Sequence, residues 1–320
     1  MSGLMPDLAV LISGIVVLYF GAEWLVRGAS RLASSLGVSP IVIGLTVVSL
    51  GTSAPELVVC LVAALQGNPG LAIGNVMGSN LANIGLILGL TSLVHPLEVK
   101  HRIVWREMPV MLLITFAIYP IAFDRVLSRM DGFMLLLVLL AYLVWVFRSG
   151  HPDEIKSSHG PRDSMATSEE AASLLNLKDI GHVALGSAFL VLGGYCIVKG
   201  AVEIASALGI SEVIIGLTVV AIGTSLPELA TSLVAAMRQE VDIAVGNIIG
   251  SNIFNLTAIF GTTAIVRPIM IPETVLSREL AGVVFMSLLL LPILRNGWQI
   301  KRWEGALLLT AYIGMGWWLI

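Results

Sequence analysis

Two glutamates stand alone in long stretches of the chain that carry no other charge. Glu56 is the only formally charged residue in 32–97, and Glu228 is the only one in 213–237. A carboxylate near the centre of a bilayer costs roughly 2.5–3.5 kcal/mol even on the more lenient insertion scale. If these stretches cross a membrane, the two carboxylates therefore require a compensating cation or proton.

Each glutamate ends the same six-residue motif, GTSAPE at 51–56 and GTSLPE at 223–228. Proline has no N–H, and its ring clashes with the carbonyl four residues earlier, so the motif predicts a broken helix. The break is expected to free backbone carbonyls in 49–51 and in 221–223. Carbonyls without partners are tolerated at membrane depth only inside protein or beside a water-filled cavity.

Neutral oxygen donors accompany both glutamates. Hydroxyl groups precede each carboxylate, and a second motif, GNVMGSNLAN at 74–83 and GNIIGSNIFN at 246–255, places a serine and an asparagine four residues apart on one helix face. The candidate donors are Thr52, Ser53, Ser79, Asn83, Thr224, Ser225, Ser251 and Asn255. Hard cations such as Ca²⁺ and Na⁺ prefer oxygen ligands, whereas zinc or copper would require His and Cys.

Other polar residues near the motifs have simpler interpretations. Ligation and hydrogen bonding between helices are equally good explanations for Asn75, Asn80, Asn247 and Asn252. The two cysteines, Cys60 and Cys196, are interpreted as small buried apolar residues. Glu23 precedes Arg27 by four residues, which predicts a pair on a helix surface near the interface.

Composition assigns the chain to the polytopic membrane proteins. Residues of the AVILMFWYC set make up 57% of the sequence and charged residues 12%, and no basic stripe indicates nucleic-acid binding. Ten apolar runs, most of them near the ~20 residues that cross a bilayer core, predict ten transmembrane helices in an all-α fold. The runs are 8–26, 40–65, 71–94, 104–123, 132–147, 182–208, 213–237, 243–266, 279–294 and 303–320. The first is interpreted as a retained helix, because no basic start or cleavage site accompanies it.

The chain contains an internal repeat. Residues 44–85 align without gaps to 216–257 at an offset of 172, with 22 identities in 42 positions. The repeat extends over about five helices, and an odd number of helices requires the second copy to be inserted upside down. The sequence thus predicts two inverted five-helix repeats, 1–148 and 181–320, joined by a polar connector at 149–180.

Basic residues predict the orientation. Thirteen of the 18 Lys and Arg residues fall on the face that carries the connector, which is therefore expected to be cytoplasmic. Both termini are then extracytoplasmic in a multi-pass protein of the cell membrane. The bilayer is the expected environment. The oligomeric state is left open, and a monomer is compatible with the sequence.

The paired motifs GTSxPE and GNxxGSNxxN, present in both halves, resemble the α-repeats of the cation/calcium antiporter superfamily, and most closely those of prokaryotic sodium/calcium exchangers. The resemblance covers essentially the whole chain. It implies that the backbone carbonyls of Ser49 and Ala221 join the side-chain donors named above and the two glutamates as cation ligands. Thr-Ser in both motifs, where the proton/calcium branch has Asn-Ala, favours the sodium/calcium branch. Asn255 stands where potassium-dependent members have an aspartate, which argues against potassium cotransport.

The charge of the site suggests exchange. Two carboxylates are balanced by one Ca²⁺, by two Na⁺ or by two protons, so we expect an antiporter that carries Ca²⁺ and Na⁺ and uses no cofactor. The alternating step is expected to be a sliding of the helices that start near residues 8 and 182 against the other eight. A Ca²⁺/H⁺ antiporter is the alternative within the same superfamily. A channel or a membrane enzyme is disfavoured, because an inverted pair suits alternating access and neither repeat core contains a histidine.

Overall fold

A computed structural model describes residues 4–149, 177–209 and 221–319, which are almost entirely helical and include several short π-helical segments. The first part forms α1 (Leu4–Leu36), α2 (Pro40–Ile43), π1 (Gly44–Val48), α3 (Ser49–Thr52), α4 (Ala54–Leu65), α5 (Pro69–Ala82), π2 (Asn83–Ile87), α6 (Leu88–Val94), β1 (Leu97–Glu98), π3 (Ile103–Glu107), α7 (Met108–Ile121), β2 (Val126–Leu127) and α8 (Arg129–Ser149). The second part forms α9 (Leu177–Ala207), α10 (Ala221–Gly223), α11 (Leu226–Met237), α12 (Val241–Phe254), π4 (Asn255–Ile259), α13 (Phe260–Val266), β3 (Ile269–Met270), π5 (Val275–Glu279), α14 (Leu280–Arg295), β4 (Gln299–Ile300) and α15 (Arg302–Leu319).

The described residues contain seven helices that are long and apolar enough to cross a membrane, or eight if one bent pair counts as a single span. This confirms a multi-pass helical membrane protein. Two of the ten predicted runs are not in that count. One, 213–237, begins outside the described residues, and the other, 303–320, forms the 18-residue helix α15. The number ten therefore stays a prediction, and most of the connector lies outside the described residues.

The most buried helices are those that carry the second motif. In the most apolar 18-residue window of each span, 94% of the residues are buried in Val241–Val266, made of α12, π4 and α13, and 72% in Pro69–Val94, whereas only 22% are buried in α9. The second of these spans begins at a defined point, because Asn68 caps α5 through a bond from Leu71 N, and Pro69 occupies its first turn. The polar residues of these two helices are thus held in the centre of the molecule.

The two longest helices, α1 and α9, pack backbone against backbone through glycines. An added Cβ on Gly28 would lie 3.0 Å from Asp179 O, and one on Gly200 would lie 2.8 Å from Asp7 O, so the helices run antiparallel. The glycines recur every seven residues on both helices: Gly14, Gly21 and Gly28 on α1, and Gly186, Gly193 and Gly200 on α9. Such close contact joins the two helices into one unit.

Two short antiparallel sheets join the two parts of the chain. β1 pairs with β4, with Leu97 opposite Ile300, and β2 pairs with β3, with Leu127 opposite Ile269. The helix α7 separates β1 from β2 along the chain, so the two sheets lie at opposite ends of that helix.

Glu23 has a different environment from the one that its spacing predicts. It is only 7% exposed, and its carboxylate accepts bonds from Arg27 Nη2 at 2.6 Å and from Arg238 Nε at 2.5 Å. Close by, Ser30 Oγ donates to Glu240 Oε1 at 2.6 Å. The predicted pair between Glu23 and Arg27 is confirmed, but the prediction that it lies on the helix surface was wrong, because the carboxylate is buried. Glu23 also connects α1 to the end of α11, a contact that local spacing does not reveal.

Candidate cation site

The helix breaks predicted at the prolines are confirmed. Ser53 separates α3 from α4 with φ −82° and ψ 6°, and Ser225 separates α10 from α11 with φ −91° and ψ 7°. The first break bends the chain by 44°. Pro55 and Pro227 follow in the first turn of the next helix, where a missing N–H costs nothing.

The carboxylates occupy the first turns that these breaks create. Glu56 lies in the first turn of α4 and Glu228 in the first turn of α11, and each is 1% exposed. The positive end of a helix dipole stabilises a negative charge at this position. The break therefore gives a partial reason why a buried carboxylate is tolerated there.

The backbone carbonyls beside the breaks differ between the two parts. Ser53 N donates to Ser49 O at 3.0 Å, and Thr52 Oγ1 lies 3.3 Å from the same oxygen, so the Ser49 carbonyl is not freed as predicted. In the second part, Ser225 N donates instead to Ile222 O at 3.1 Å, three residues back.

Each carboxylate is reached by a serine from the other part of the chain. Ser53 Oγ donates to Glu228 Oε1 at 3.1 Å, and Ser225 Oγ donates to Glu56 Oε1 at 3.3 Å. Ser225 Oγ also lies 3.4 Å from Ser79 Oγ. The two copies of GTSxPE therefore meet at one place, with their polar groups interleaved.

The threonines likewise contact the second motif of the other part of the chain. Thr52 Oγ1 donates to Asn247 Oδ1 at 3.0 Å and lies 3.5 Å from Ser251 Oγ. Thr224 Oγ1 donates to Asn75 Oδ1 at 3.4 Å. Each threonine thus contacts the asparagine of the opposite copy.

The last two predicted donors begin π-helical segments. Asn83 opens π2 and Asn255 opens π4, and each is 1% exposed. Asn83 Nδ2 donates to Asn252 Oδ1 at 3.2 Å. Single π-turns inside α-helices occur often at functional sites, because they reorient the side chains that follow. Sequence periodicity gave no sign of these segments.

Asn80 Oδ1 of the second motif receives no hydrogen bond from the described residues, and neither do four buried oxygens of the predicted ligands: Glu56 Oε2, Glu228 Oε2, Asn83 Oδ1 and Asn255 Oδ1. These four form two pairs related by the offset of 172, and with both glutamates ionised all four accept but cannot donate. Buried polar atoms normally have a partner. A cation would provide one for each of these oxygens, which fits the oxygen chemistry that hard cations prefer.

Other polar groups beside the motifs have partners within the protein. Ser49 was predicted to act through its carbonyl, and its hydroxyl points away, with Gly44 O at 2.7 Å and Asn247 O at 3.0 Å as its acceptors. Cys60, interpreted as an apolar residue, accepts a bond from Asn75 Nδ2 at 3.2 Å. No group of three or more His, Cys, Asp or Glu side chains that could hold a metal occurs in the described part of the chain. Any cation bound here would therefore need the hydroxyl, amide and carbonyl oxygens besides the two carboxylates.

A helical membrane protein with two related helix breaks around a buried, oxygen-lined site has the architecture of a cation transporter. Comparison with known proteins agrees. The family described as sodium/calcium exchanger protein matches residues 7–148 and 178–320. The chain belongs to this family and is a membrane antiporter, which confirms the resemblance recognised in the sequence.

Individual relatives cover nearly the whole chain. It is 40% identical to the putative antiporter CaxA of Alkalimonas amylolytica, covering 94% of each protein, and 34% identical to the sodium/calcium exchanger MaX1 of Methanosarcina acetivorans, covering 95% of each. A solved structure of the sodium-calcium exchanger NCX_Mj superimposes with a TM-score of 0.82 at 33% identity over 97% of both chains. These relatives are transporters and not enzymes.

Proposed function

We propose that this antiporter exchanges Na⁺ for Ca²⁺ by alternating access at a single site shared by Glu56 and Glu228. The observation that supports this most is the interleaving of the two motifs, in which each buried carboxylate is contacted by a serine of the other part. The site then has a charge of −2. One Ca²⁺ or two Na⁺ neutralise that charge equally well, so the two ions compete for the same oxygens.

The proposed ligands are the residues that the sequence nominates. Glu56 and Glu228 supply the charge, and the remaining oxygens come from carbonyls, hydroxyls and amides. These are the carbonyls of Ser49 and Ala221 and the side chains of Thr52, Ser53, Ser79, Asn83, Thr224, Ser225, Ser251 and Asn255. The four buried oxygens without hydrogen bonds among the described residues support the carboxylates and the two asparagines as ligands.

The proposed architecture is ten transmembrane helices in two inverted repeats. The short sheets support it, because the offset of 172 carries β1 to β3, while these two strands belong to different sheets at opposite ends of α7. Related strands at opposite ends are what an upside-down copy produces. By the distribution of basic residues, both termini are extracytoplasmic and the 149–180 connector is cytoplasmic.

The proposed moving unit is the pair α1 and α9. Backbone contact through their glycines joins these two helices into one unit. The two short sheets connect strands of one half to strands of the other. Sliding of the pair would cover and uncover the site from alternate sides. Glu23, bonded to Arg238, would then be a contact between the moving unit and the remaining helices.

The decisive experiment is Ca²⁺ uptake into proteoliposomes that contain the purified protein. Outward gradients of Na⁺, H⁺ or K⁺ are imposed one at a time, with the membrane potential clamped and protein-free vesicles as the control. We expect uptake driven by Na⁺ and by neither of the other ions. Uptake driven by H⁺ alone would refute the proposed counter-ion and establish a Ca²⁺/H⁺ antiporter, and uptake without any counter-ion would indicate a channel.

A further inference from the structure

Asn247 uses both ends of its carboxamide to join the two parts of the chain. Its Nδ2 donates to Ser232 Oγ at 3.1 Å and approaches Glu228 O at 3.5 Å, both on α11. Its Oδ1 accepts from Thr52 Oγ1 at 3.0 Å, on the other broken helix. Because the two donor contacts hold the Nδ2 end, the oxygen end is fixed toward Thr52.

Asn75, at the related position, makes the same three contacts. Its Nδ2 donates to Glu56 O at 3.3 Å and to Cys60 Sγ at 3.2 Å, and its Oδ1 accepts from Thr224 Oγ1 at 3.4 Å. The arrangement therefore occurs twice, although the second acceptor is a hydroxyl in one copy and a thiol in the other. The recurrence of this geometry in both copies indicates a role beyond packing.

The contact determines where the threonine proton points. A hydroxyl has one proton and two lone pairs, and it can ligate a cation only if a lone pair faces the ion while the proton goes elsewhere. For Thr52, Asn247 Oδ1 lies at 3.0 Å, and Ser49 O, at 3.3 Å, and the Glu228 carboxylate compete with it for the same proton. When Asn247 takes the proton, both the hydroxyl lone pair and the Ser49 carbonyl remain available to a cation.

We propose that Asn75 and Asn247 are positioning residues for cation binding, each of which orients the ligating threonine of the opposite half. The inference rests on the proposed function, because it assumes that Thr52 and Thr224 are ligands. Neither asparagine touches the cation itself. The effect is larger for Asn247, which is fully buried and has the shorter contact, than for the half-buried Asn75.

The test is a double-mutant cycle read out as equilibrium binding of ⁴⁵Ca²⁺ to the purified full-length protein. Loss of one oriented donor contact predicts that Asn247→Ala raises the Ca²⁺ Kd about tenfold. In a Thr52→Val background the same change should raise it less than about twofold, because the hydroxyl that Asn247 orients is gone. The matched control is Asn247→Ala with Thr224→Val, for which the two effects should multiply.

The inference would be overturned if the effects of Asn247→Ala and Thr52→Val on the Kd simply multiply. It would also be overturned if Asn247→Ala couples equally to Thr52→Val and Thr224→Val, because general loosening of the packing does not distinguish the two threonines. If Asn247→Ala is not monodisperse, Ser232→Ala replaces it. That variant leaves the asparagine in place but releases its amide, and its effect on Kd should likewise disappear in Thr52→Val. If the native protein binds no Ca²⁺, the proposed function has failed. If it binds Ca²⁺ and the cycle shows no coupling, only this inference has failed.

Discussion

Replacing either carboxylate by its amide tests the shared site most directly. Glu56→Gln and Glu228→Gln preserve the side-chain size and the Oε1 acceptor that the opposite serine contacts, so the fold is expected to persist. Each change lowers the charge of the site from −2 to −1. Removing one partner from a buried charged group costs about 3 kcal/mol or more, which at 1.4 kcal/mol per tenfold is roughly a hundredfold in Ca²⁺ affinity.

The assay is Na⁺-gradient-driven ⁴⁵Ca²⁺ uptake by reconstituted variants, after each has been shown to be monodisperse. Glu56→Gln and Glu228→Gln should each abolish uptake at Ca²⁺ concentrations at which the native site is only partly occupied. The control is Glu273→Gln, because that glutamate forms an exposed pair with Arg125 and such pairs contribute little. Glu23→Gln is not a neutral control, since its carboxylate is buried against Arg27 and Arg238. Near-native uptake by either Glu56→Gln or Glu228→Gln would refute the two-carboxylate mechanism.

Three further outcomes follow from the same reasoning. Because position 255 is an amide and not a carboxylate, replacing K⁺ by choline at constant membrane potential should leave Ca²⁺ uptake unchanged, and a K⁺ requirement would contradict our interpretation of Asn255. A cysteine introduced at Ser158 should react with an impermeant thiol reagent only after the cytoplasmic side is opened, and labelling in intact cells would invert the topology. Gly21→Val should lower the thermal unfolding temperature and halt transport, because an added Cβ would lie 2.7 Å from Leu190 N, whereas Gly314→Val, with no atom within 4 Å of an added Cβ, should change neither.

Much of the site could be predicted from the sequence, because its chemistry is local and is present twice. An isolated glutamate after a proline specifies both a helix break and a buried charge, and the structure has both at Glu56 and Glu228. Spacing of four residues likewise placed Ser79 and Asn83 on one face. The repeat strengthened each of these predictions, since a coincidence at one position would not recur 172 residues later.

The contacts between the halves could not be predicted in the same way. The bond from Ser53 to Glu228, and that from Arg238 to Glu23, depend on how distant segments superimpose, and no local pattern contains that information. The π-turn at Asn83 is also invisible, because one extra residue in a turn hardly alters helical periodicity. The contact between α1 and α9 is different, because the seven-residue spacing of their glycines is present in the sequence and predicts close helix packing.

The pairing of β1 with β4 has a consequence for biosynthesis. Leu97 finds its partner only when Ile300 has been made, and at ~5–20 residues per second the intervening chain takes roughly ten to forty seconds to synthesise. Throughout that interval the first half lies in the bilayer with an open strand edge, and until Ser225 has been made Glu56 lacks the serine that later contacts it. A chain truncated before residue 299 would therefore keep β1 without its partner strand and leave its backbone N–H and C=O groups unpaired.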